Sequence, residues 1–389
     1  MELREHWLLP DTVDYLSHGS FGAAPIPVLE EQVRWRALLE TNPADFLGRR
    51  LEGYLESARD ELAHFVGSRP ENLVFVPNAT TGVNAVLRSL QLEAGDELLT
   101  TDHEYNACRN ALEFVASRAG ARIVVVPIPF PIDSSDTVTD LVLGAITERT
   151  RVVLVDHVTS ATALILPIDR IIAGAESRGV PVLVDGAHGP GMLPLDLESL
   201  GASYYTGNCH KWICSPKGAA LLYARPDRQA DLTPVSISHG WNDPRLGRPR
   251  FHKLFDWTGT DDPSAVLSVP EAIRFMGSLL PGGWPALMDH NHRLVLEARD
   301  LICEALGIDA PAPDDMIGSM AALPLPDGEG LAPQSVIDAM SERLRLAGFE
   351  VPAFIWPGWP KRILRISAQA YNTIAQFERL AAALKKELS

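Results

Sequence analysis

Lys211 is the most unusual residue of the segment T-G-N-C-H-K-W (206–212), where it lies between a histidine and a tryptophan. The segment follows S-Y-Y-T-G, a run that is typical of a buried strand. A lysine is rarely buried unless another group pairs with it. We therefore predict that the Lys211 amine is covalently occupied and carries no lasting charge.

Three further features would complete a site for pyridoxal 5'-phosphate. This cofactor needs a lysine for its aldehyde, a carboxylate beside its ring nitrogen, a stacking partner and a phosphate cradle. Asp185, after the apolar run V-L-V, can keep the ring nitrogen protonated, and Tyr105 can cover the ring face. The helix predicted to begin at Ala79-Thr80 offers N–H groups and a positive dipole end to the phosphate.

Each of these features also has a purely structural explanation. Asp185 can cap a turn, and His188 in D-G-A-H can be a satisfied core histidine. The segment A-T-T-G can be a helix N-cap and nothing more. Only the combination of these residues at successive strand ends favours the cofactor.

Other kinds of site find little support in the sequence. Cys209 and Cys214 around His210 do not have zinc-ligand spacing, and no second ligand pair accompanies them, so no metal is expected. The chain has no G-x-x-x-x-G-K-[ST] phosphate loop and no H-E-x-x-H. H-G-S-F-G (18–22) is not the G-x-S-x-G nucleophile elbow. No G-x-G-x-x-G follows the first strand, so a nicotinamide cofactor is not expected.

The elements that must position these side chains alternate between strand and helix from residue 50 onward. Apolar runs predict strands at 73–76, 97–101, 123–126, 152–155 and 182–185. Helical spacing predicts helices at 51–66, 107–119 and 167–178. Continuous β-branched strands between helices predict an α/β fold, with a mostly parallel sheet covered by helices.

Polar segments follow the predicted strands in a consistent way. They are N-A-T-T-G (78–82), D-H-E-Y-N (102–106), D-H-V-T-S (156–160), D-G-A-H (185–188) and G-N-C-H-K-W (207–212). Ligands of parallel sheets bind at the carboxyl ends of the strands. We therefore predict that the five segments meet in one crevice.

The length of 389 residues favours two domains. We expect an N-terminal arm (1–25) that lines the site, a large cofactor-binding α/β domain (26–281) and a smaller C-terminal α+β domain (282–389). P-G-G-W at 281–284 marks the boundary. The last part is predicted to contain helices at 285–306, 333–347 and 373–388, with strands near 319–325, in F-E-V-P-A-F-I-W and in R-I-L-R-I-S.

The composition limits the partners of the protein. A formal net charge of −16 argues against binding to nucleic acid or to anionic membranes. The four cysteines are scattered, which predicts free thiols. The N-terminus lacks the pattern of a signal peptide, and no apolar stretch reaches the ~18 residues of a membrane span. A cytoplasmic protein without nucleic-acid or membrane partners is expected.

The motifs together resemble those of the fold-type I pyridoxal-phosphate enzymes, and within them the class V aminotransferase family. That family includes cysteine desulfurases, isopenicillin N epimerase and related carbon–sulfur lyases. The matching motifs are N-A-T-T-G, H-E-Y-N, D-H-V-T-S, V-D-G-A-H, T-G-N-C-H-K-W, T-G-T (258–260) and L-R-I-S (364–367). Y-L-S-H-G-S-F-G-A-A-P (15–25) is most similar to the isopenicillin N epimerase-like branch.

The resemblance implies a role for each matching residue around the cofactor. Lys211 would form the internal aldimine and then move protons, while Asp185 would pair with the ring nitrogen. His188 and Ser160 would lie near the ring hydroxyl, and Tyr105 would stack on the ring. The phosphate would be held by Ala79, Thr80, Asn208 and His210.

The resemblance also implies contacts to the substrate and to a second subunit. Arg365 would clamp the α-carboxylate of a small amino-acid substrate, a task that suits its planar fork. His18 and Ser20 of the arm are expected to contact the substrate as well. Thr260 resembles a threonine that reaches the cofactor phosphate of the neighbouring subunit, so a homodimer is implied.

One departure from the family pattern excludes a reaction. A cysteine desulfurase of this kind needs a nucleophilic cysteine shortly before the R-x-S motif, and residues 304–389 contain no cysteine. Persulfide-forming desulfuration is therefore not expected. Cys209 and Cys214, beside Lys211, are expected to be packing residues.

The reaction outcome stays open after Lys211 removes the Cα proton. Loss of a β-substituent would make the protein a lyase, reprotonation from the opposite face an epimerase, and reprotonation on the cofactor an aminotransferase. We favour elimination from a cysteine conjugate, because it needs only one base and a leaving group. A secondary-metabolite amino acid is the other substrate considered.

Epimerisation is the main alternative, and it needs either a second proton donor on the far face or a mobile lysine. The candidates are Tyr105, His103 and His239. A non-enzymatic cofactor-binding module is not expected, because such a module would have no reason to keep Lys211, Asp185 and Arg365 together.

Overall fold

The computed structural model describes residues 3–388. The arm contains a short 3-10 helix (Leu3–His6) and strand β1 (Asp14–Tyr15). Four helical segments follow: α1 (Ile26–Thr41), α2 (Pro43–Asp45), a π-helical turn (Phe46–Arg50) and α3 (Leu51–Phe65). Helix α1 begins directly after the predicted arm.

The central sheet has seven strands. In chain order they are β2 (Leu73–Val76), β3 (Glu97–Thr101), β4 (Arg122–Val126), β5 (Thr150–Asp156), β6 (Val182–Asp185), β7 (Tyr204–Asn208) and β8 (Ala220–Ala224). Their spatial order is β2-β8-β7-β6-β5-β3-β4. Only β8 runs antiparallel to its neighbours, so the predicted mostly parallel sheet is confirmed.

Helices cover both faces of this sheet. They are α4 (Ala79–Ser89), α5 (Asn106–Ala119), α6 (Ser135–Gly144), α7 (Ile168–Glu176), α8 (Leu197–Leu200), α9 (Arg250–Phe255), α10 (Ser264–Leu267) and α11 (Val269–Ser278). Leu154 packs in the core beneath α4 and α5, while its neighbours Val153 and Val155 pack in the core on the other face. Burial on both faces explains the continuous apolar runs of the strands.

The C-terminal part is a smaller α+β unit. Its elements are α12 (Gly283–Leu306), β9 (Met320–Leu325), α13 (Ala339–Leu346), β10 (Phe349–Glu350), β11 (Ala353–Ile355), β12 (Arg362–Ser367) and α14 (Ile374–Leu388). The antiparallel sheet has the order β11-β12-β9. Strand β10 pairs instead with β1, which ties the arm to this unit.

The predicted start of the helix at 333–347 was wrong. Helix α13 begins only at Ala339, where the Asp338 carboxylate accepts the Met340 N–H at 2.8 Å. The preceding residues run beside β11, and the Ile355 N–H donates to the Val336 carbonyl at 2.8 Å. Backbone pairing with a strand has therefore replaced the first helical turns.

The predicted strand F-E-V-P-A-F-I-W is also divided in the structure. It forms β10 and β11, with Pro352 between them, because proline has no N–H to donate to a ladder. Within residues 3–388, no helix is long and apolar enough to cross a membrane.

Candidate active site

A cavity of about 190 Å³ lies at the carboxyl ends of β5, β6 and β7, opposite the start of α4. Residues from all five polar segments line it, so the predicted crevice forms. The predicted site residues on its wall are Ser20, Ala79, Thr80, Tyr105, Ser160, Asp185, His188, Asn208, His210 and Lys211. The parallel arrangement of the strands brings these distant parts of the chain together.

Lys211 is held by a hydrogen-bond chain that fixes the tautomer of its neighbour. The Lys211 Nζ lies 3.0 Å from His188 Nε2, and the Trp212 indole N–H donates to His188 Nδ1 at 3.2 Å. An indole nitrogen can only donate, so Nδ1 is an acceptor and Nε2 carries the proton. The Nε2–H therefore points at the lone pair of an uncharged Lys211 amine.

The electrostatic surroundings shift the Lys211 amine toward the same uncharged state. Burial lowers the pKa of Lys211 to about 8, and the positive charge of Arg365 acts in the same direction. Burial and the Lys211 charge hold the pKa of His188 well below its ordinary value. Among residues 3–388, no carboxylate forms an ion pair with Lys211. This amine is available as a nucleophile and as a base near neutral pH.

Asp185, the last residue of β6, is fixed by two hydrogen bonds. Its Oδ2 accepts the Cys108 S–H at 3.1 Å, and its Oδ1 accepts the Ala187 N–H at 2.9 Å. Burial raises the pKa of Asp185, while these hydrogen bonds and the charge of Lys211 oppose the shift. A carboxylate held in this way can keep a basic ring nitrogen protonated.

Glu104, Cys108 and Asp185 place their donor atoms within 4.8 Å of one another. Burial and the charge of Asp185 raise the pKa of the Cys108 thiol well above its ordinary value. The thiol therefore stays protonated, and a protonated thiol is not the form that binds metals. The trio does not suit a metal ion.

The opposite end of the cavity has the features of an anion cradle. The Asn78 side chain caps α4 by accepting the Thr81 N–H at 2.9 Å, and Asn208 Oδ1 accepts the Ala79 N–H at 2.8 Å. Within residues 3–388, the Thr80 hydroxyl has no hydrogen-bond partner. The cation of Lys217 also lines the cavity and donates to the Gly22 carbonyl.

His210 completes this end of the site. Its Nδ1 donates to the Ala219 carbonyl at 2.8 Å, which leaves Nε2 as an acceptor or as a second donor when protonated. Burial lowers the pKa of His210 to about 4. A helix N-terminus, an unpartnered hydroxyl and a nearby cation together suit a phosphate group.

Arg365, on β12, stands behind Ser20 and Ser160 in the cavity wall. Its guanidinium donates to the Ser20 hydroxyl at 2.5 Å and to the Ser160 carbonyl, and it lies 5.3 Å from the Phe354 ring centroid. Its Nε has no partner, and only 2% of the residue is exposed. Burial lowers its pKa to about 10. Among residues 3–388 this cation has no carboxylate partner, so it suits an incoming carboxylate.

The N-terminal arm passes very close to the lysine segment. A Cβ added to Gly22 would lie 2.5 Å from the His210 carbonyl oxygen and 2.6 Å from that of Lys211. Only glycine permits this approach, which brings Ser20 and Phe21 into the cavity wall.

His18 does not have the predicted placement. Its Nδ1 accepts the Tyr371 hydroxyl at 2.8 Å, and its Nε2 donates to the Lys211 carbonyl at 3.0 Å. The ring is fully buried behind Lys211 and does not line the cavity. Both nitrogens are occupied by the protein, so His18 supports the lysine segment and is not placed to contact a substrate.

Three other candidates also lie outside the cavity wall. His103 is buried between the Thr162 hydroxyl, at 2.6 Å, and the Ile128 carbonyl, at 3.0 Å. His239 lines a separate cavity of about 850 Å³. Thr260 is exposed on the surface of the single chain. Of the three candidate second proton donors, only Tyr105 lines the site, and it is 48% exposed.

Comparison with known proteins agrees with the geometry. Residues 34–380 match the sequence profile of the family described as Aminotransferase class-V. The chain belongs to the class V aminotransferase family. It is an enzyme of this pyridoxal-phosphate-dependent family, as the motifs predicted, and the residues on the cavity wall fit that cofactor.

Relatives of known activity cover nearly the whole chain. The isopenicillin N epimerase of Amycolatopsis lactamdurans is 36% identical over 98% of this chain and 97% of its own. A putative L-cysteine desulfhydrase of Oryza sativa subsp. japonica is 30% identical over 95% of this chain and 82% of its own. Both kinds of relative belong to the branch that the motifs indicated.

Solved structures share the fold at lower identity. The cysteine desulfurase CsdA from Escherichia coli superposes with a TM-score of 0.79 at 21% identity, covering 99% of this chain and 97% of that one. The cystine C-S lyase C-DES superposes with a TM-score of 0.78 at 21% identity, covering 96% and 98%. The expected fold-type I architecture is confirmed.

The sequence did not reveal every residue of the cavity wall. Lys217 lines it without having been predicted to do so, while Phe21 and Asp156 were predicted only as members of the arm and of D-H-V-T-S. A signal existed for Asp156, because it follows V-V-L-V as Asp185 follows V-L-V. No comparable signal marked Lys217, which reaches the site from a loop.

Proposed function

We propose that this class V enzyme is a β-eliminating carbon–sulfur lyase that acts on cysteine or an S-substituted cysteine. The observation that carries the proposal is the Lys211 amine on the cavity wall, whose lone pair faces the His188 Nε2–H. His103 and His239, two of the three candidate second donors, lie outside the cavity wall. Elimination requires one base and a leaving group, and the site provides that base.

Pyridoxal phosphate, when bound here, supplies the electron sink that makes a Cα proton acidic. Lys211 removes that proton, and the neutral His188 keeps the lysine amine directed at the substrate. Arg365 binds the substrate carboxylate, and its Nε–H is a donor that has no protein partner. Asp185 holds a proton at the ring nitrogen, and Tyr105 covers the ring.

The relatives support a sulfur-containing substrate. Several that match this chain are described as L-cysteine desulfhydrases, including that of Oryza sativa. The mouth of the cavity is open at Tyr105 and Phe21. Cysteine and S-substituted cysteines are the substrates that we propose on the strength of these relatives.

Proton NMR in heavy water tests the reaction directly. The purified protein is incubated with pyridoxal phosphate and a panel of S-substituted cysteines and long-chain L-amino acids. Release of a thiol together with pyruvate and ammonia is expected from a cysteine conjugate. Deuterium at Cα with an intact side chain, and no β-product from any substrate, would overturn the elimination proposal.

Epimerisation is the second candidate, because Tyr105 lines the cavity with a titratable hydroxyl. An epimerase is also among the relatives that match nearly the full length of this chain. In the same NMR experiment an epimerase would produce both enantiomers. Tyr105→Phe would then lower the rate of enantiomer exchange and leave Cα–deuterium exchange by Lys211 largely intact.

We also propose that the enzyme is a cytoplasmic homodimer in which Thr260 completes the site of the partner subunit. Thr260 is exposed in the single chain and lies in the T-G-T motif. Val235, Ile237 and Trp241, in the same part of the chain, are large apolar side chains that are also exposed. Such side chains are commonly covered by a second subunit.

A further inference from the structure

Asp156 is a buried carboxyl group that faces the cofactor cavity. It is the last residue of β5 and pairs in register with Asp185 on β6, so both side chains project from the same side of the sheet. Asp156 is 3% exposed and lines the cavity. Its Oδ2 has no hydrogen-bond partner among residues 3–388. A buried polar atom without a partner is costly unless a bound group satisfies it.

The charged and titratable groups around Asp156 decide its protonation state. The acidic groups around it are Asp185, Glu104 and the protonated Cys108 thiol, and Lys211 lowers its pKa when the amine is protonated. Burial and the charges of Glu104 and Asp185 hold the pKa of Asp156 well above its ordinary value. Asp185 accepts two hydrogen bonds, which makes it the carboxyl that is best able to stay ionised.

We propose that Asp156 is a neutral carboxylic acid that donates a hydrogen bond to the ring hydroxyl oxygen of pyridoxal phosphate. Asp185 faces the ring nitrogen under the proposed function, on which this inference rests. On the edge of the pyridoxal ring that carries this nitrogen, the second hydrogen-bond acceptor is the ring hydroxyl oxygen. Asp156 is therefore a positioning residue, with its orphan Oδ2 as the donor atom.

A neutral donor and an anion at this position have opposite effects on the cofactor. A donor stabilises negative charge on the hydroxyl oxygen and so lowers the proton affinity of the adjacent imine nitrogen that links the cofactor to Lys211. A carboxylate anion at the same place would raise that proton affinity. The titration of the visible absorption band of the bound cofactor reports this affinity without any catalytic turnover.

The experiment measures the pH at the midpoint of the change in the cofactor's visible absorption band. It compares this midpoint in the wild-type enzyme, Asp156→Asn and Asp156→Leu, each with pyridoxal phosphate bound. Asparagine keeps a donor and cannot ionise, so its midpoint should stay near that of the wild type. Leucine has a similar size and no donor, so its midpoint should rise by about one pH unit. Asp156→Val provides the same comparison if the leucine variant does not fold.

Glu104→Gln is the matched control. Glu104 is buried in the same group of carboxyls but does not line the cavity, so this variant should titrate like the wild type. A lowered midpoint in Asp156→Asn would show that Asp156 is an anion and overturn the inference. Equal midpoints in all Asp156 variants would also overturn it. A wild-type protein that forms no visible band would overturn the proposed function itself, and this inference with it.

Discussion

At the scale of single residues, the site depends on a buried lysine whose pKa is lowered, so that its neutral form is more abundant than in an ordinary lysine. The sequence indicated this, because Lys211 lies between His210 and Trp212 after an apolar strand. It did not indicate how the state is maintained. The hydrogen-bond chain from Trp212 through His188 joins residues that a linear pattern cannot place together.

Replacing Lys211 tests its covalent role. We expect Lys211→Ala to lower turnover by about 10³-fold or more, because the base that removes the Cα proton is lost. Pyridoxal phosphate should still bind, but reduction with borohydride followed by mass spectrometry should find no attached cofactor. Lys217→Ala, which alters the other lysine of the cavity, should keep the covalent label. A label on Lys217 in the wild type would contradict the assignment.

The pH dependence of cofactor capture follows from the lowered pKa of Lys211. The neutral amine is the attacking form, and its fraction rises with pH up to the pKa of about 8. At pH 7 roughly a tenth of the amine is neutral, against about one part in 3,000 for an ordinary lysine. The rate at which the apoenzyme forms the visible band should rise about tenfold per pH unit below that pKa and then level off.

Arg365→Gln provides the control for this profile. The Arg365 charge is one cause of the low pKa of Lys211, so its removal should move the break in the profile to higher pH. Stopped-flow absorbance measures both profiles. A rate that continues to rise without a break through pH 9 in the wild type would show that Lys211 titrates as an ordinary lysine.

At the scale of secondary-structure elements, apolar runs located most of the central strands to within a few residues. Strand β8 was not predicted, and the start of the helix predicted at 333–347 in the small unit was wrong. Residues 333–338 have a plausible helical pattern, yet backbone pairing with β11 outweighs it. Such pairing depends on parts of the chain that a local pattern does not contain. The sequence also did not show that Asp156 and Asp185 are neighbours, because the register between two strands cannot be derived from a local pattern.

Gly22 tests the close packing of the arm against the lysine segment. We expect Gly22→Ala to destabilise the protein by about 1–3 kcal/mol, because its Cβ would collide with two backbone carbonyls. Cofactor affinity should fall as well, since the same movement displaces Ser20 and Lys211. Urea unfolding and cofactor titration measure the two effects.

Gly53→Ala is a suitable control, because the space around Gly53 in α3 is open. It should raise stability by about 0.5–1 kcal/mol through the lower helix propensity of glycine. If the Gly22 and Gly53 variants behave alike, the arm does not constrain the site.

At the scale of the whole molecule, the chain was correctly predicted to be an α/β enzyme with a smaller α+β unit at its end. The predicted division at residues 25 and 281 stays a prediction. The dimer also stays a prediction, since the sequence indicated it only through T-G-T. A site that is completed by a second subunit cannot be derived from local patterns in the sequence of one chain.

Mixing two inactive variants tests whether Thr260 acts across subunits. Lys211→Ala removes the base of its own site, and Thr260→Arg should block the site of the neighbouring subunit. In a mixed dimer one site would combine an intact Lys211 with an intact partner Thr260. Unfolding and refolding an equimolar mixture should restore about a quarter of wild-type activity. No recovery, with mixed dimers verified by mass spectrometry, would place Thr260 in the site of its own subunit.

The bond network of His18 has a consequence for biosynthesis. The His18 imidazole bonds both the Lys211 carbonyl and the Tyr371 hydroxyl, so an early and a late segment of the chain meet behind the lysine. A nascent chain on the ribosome has its arm and its lysine long before it has Tyr371. The lysine segment therefore reaches its final support only once Tyr371, which follows Lys211 by 160 residues (371 − 211), has also been synthesised. In the order of synthesis, the support behind the lysine is completed long after the lysine itself.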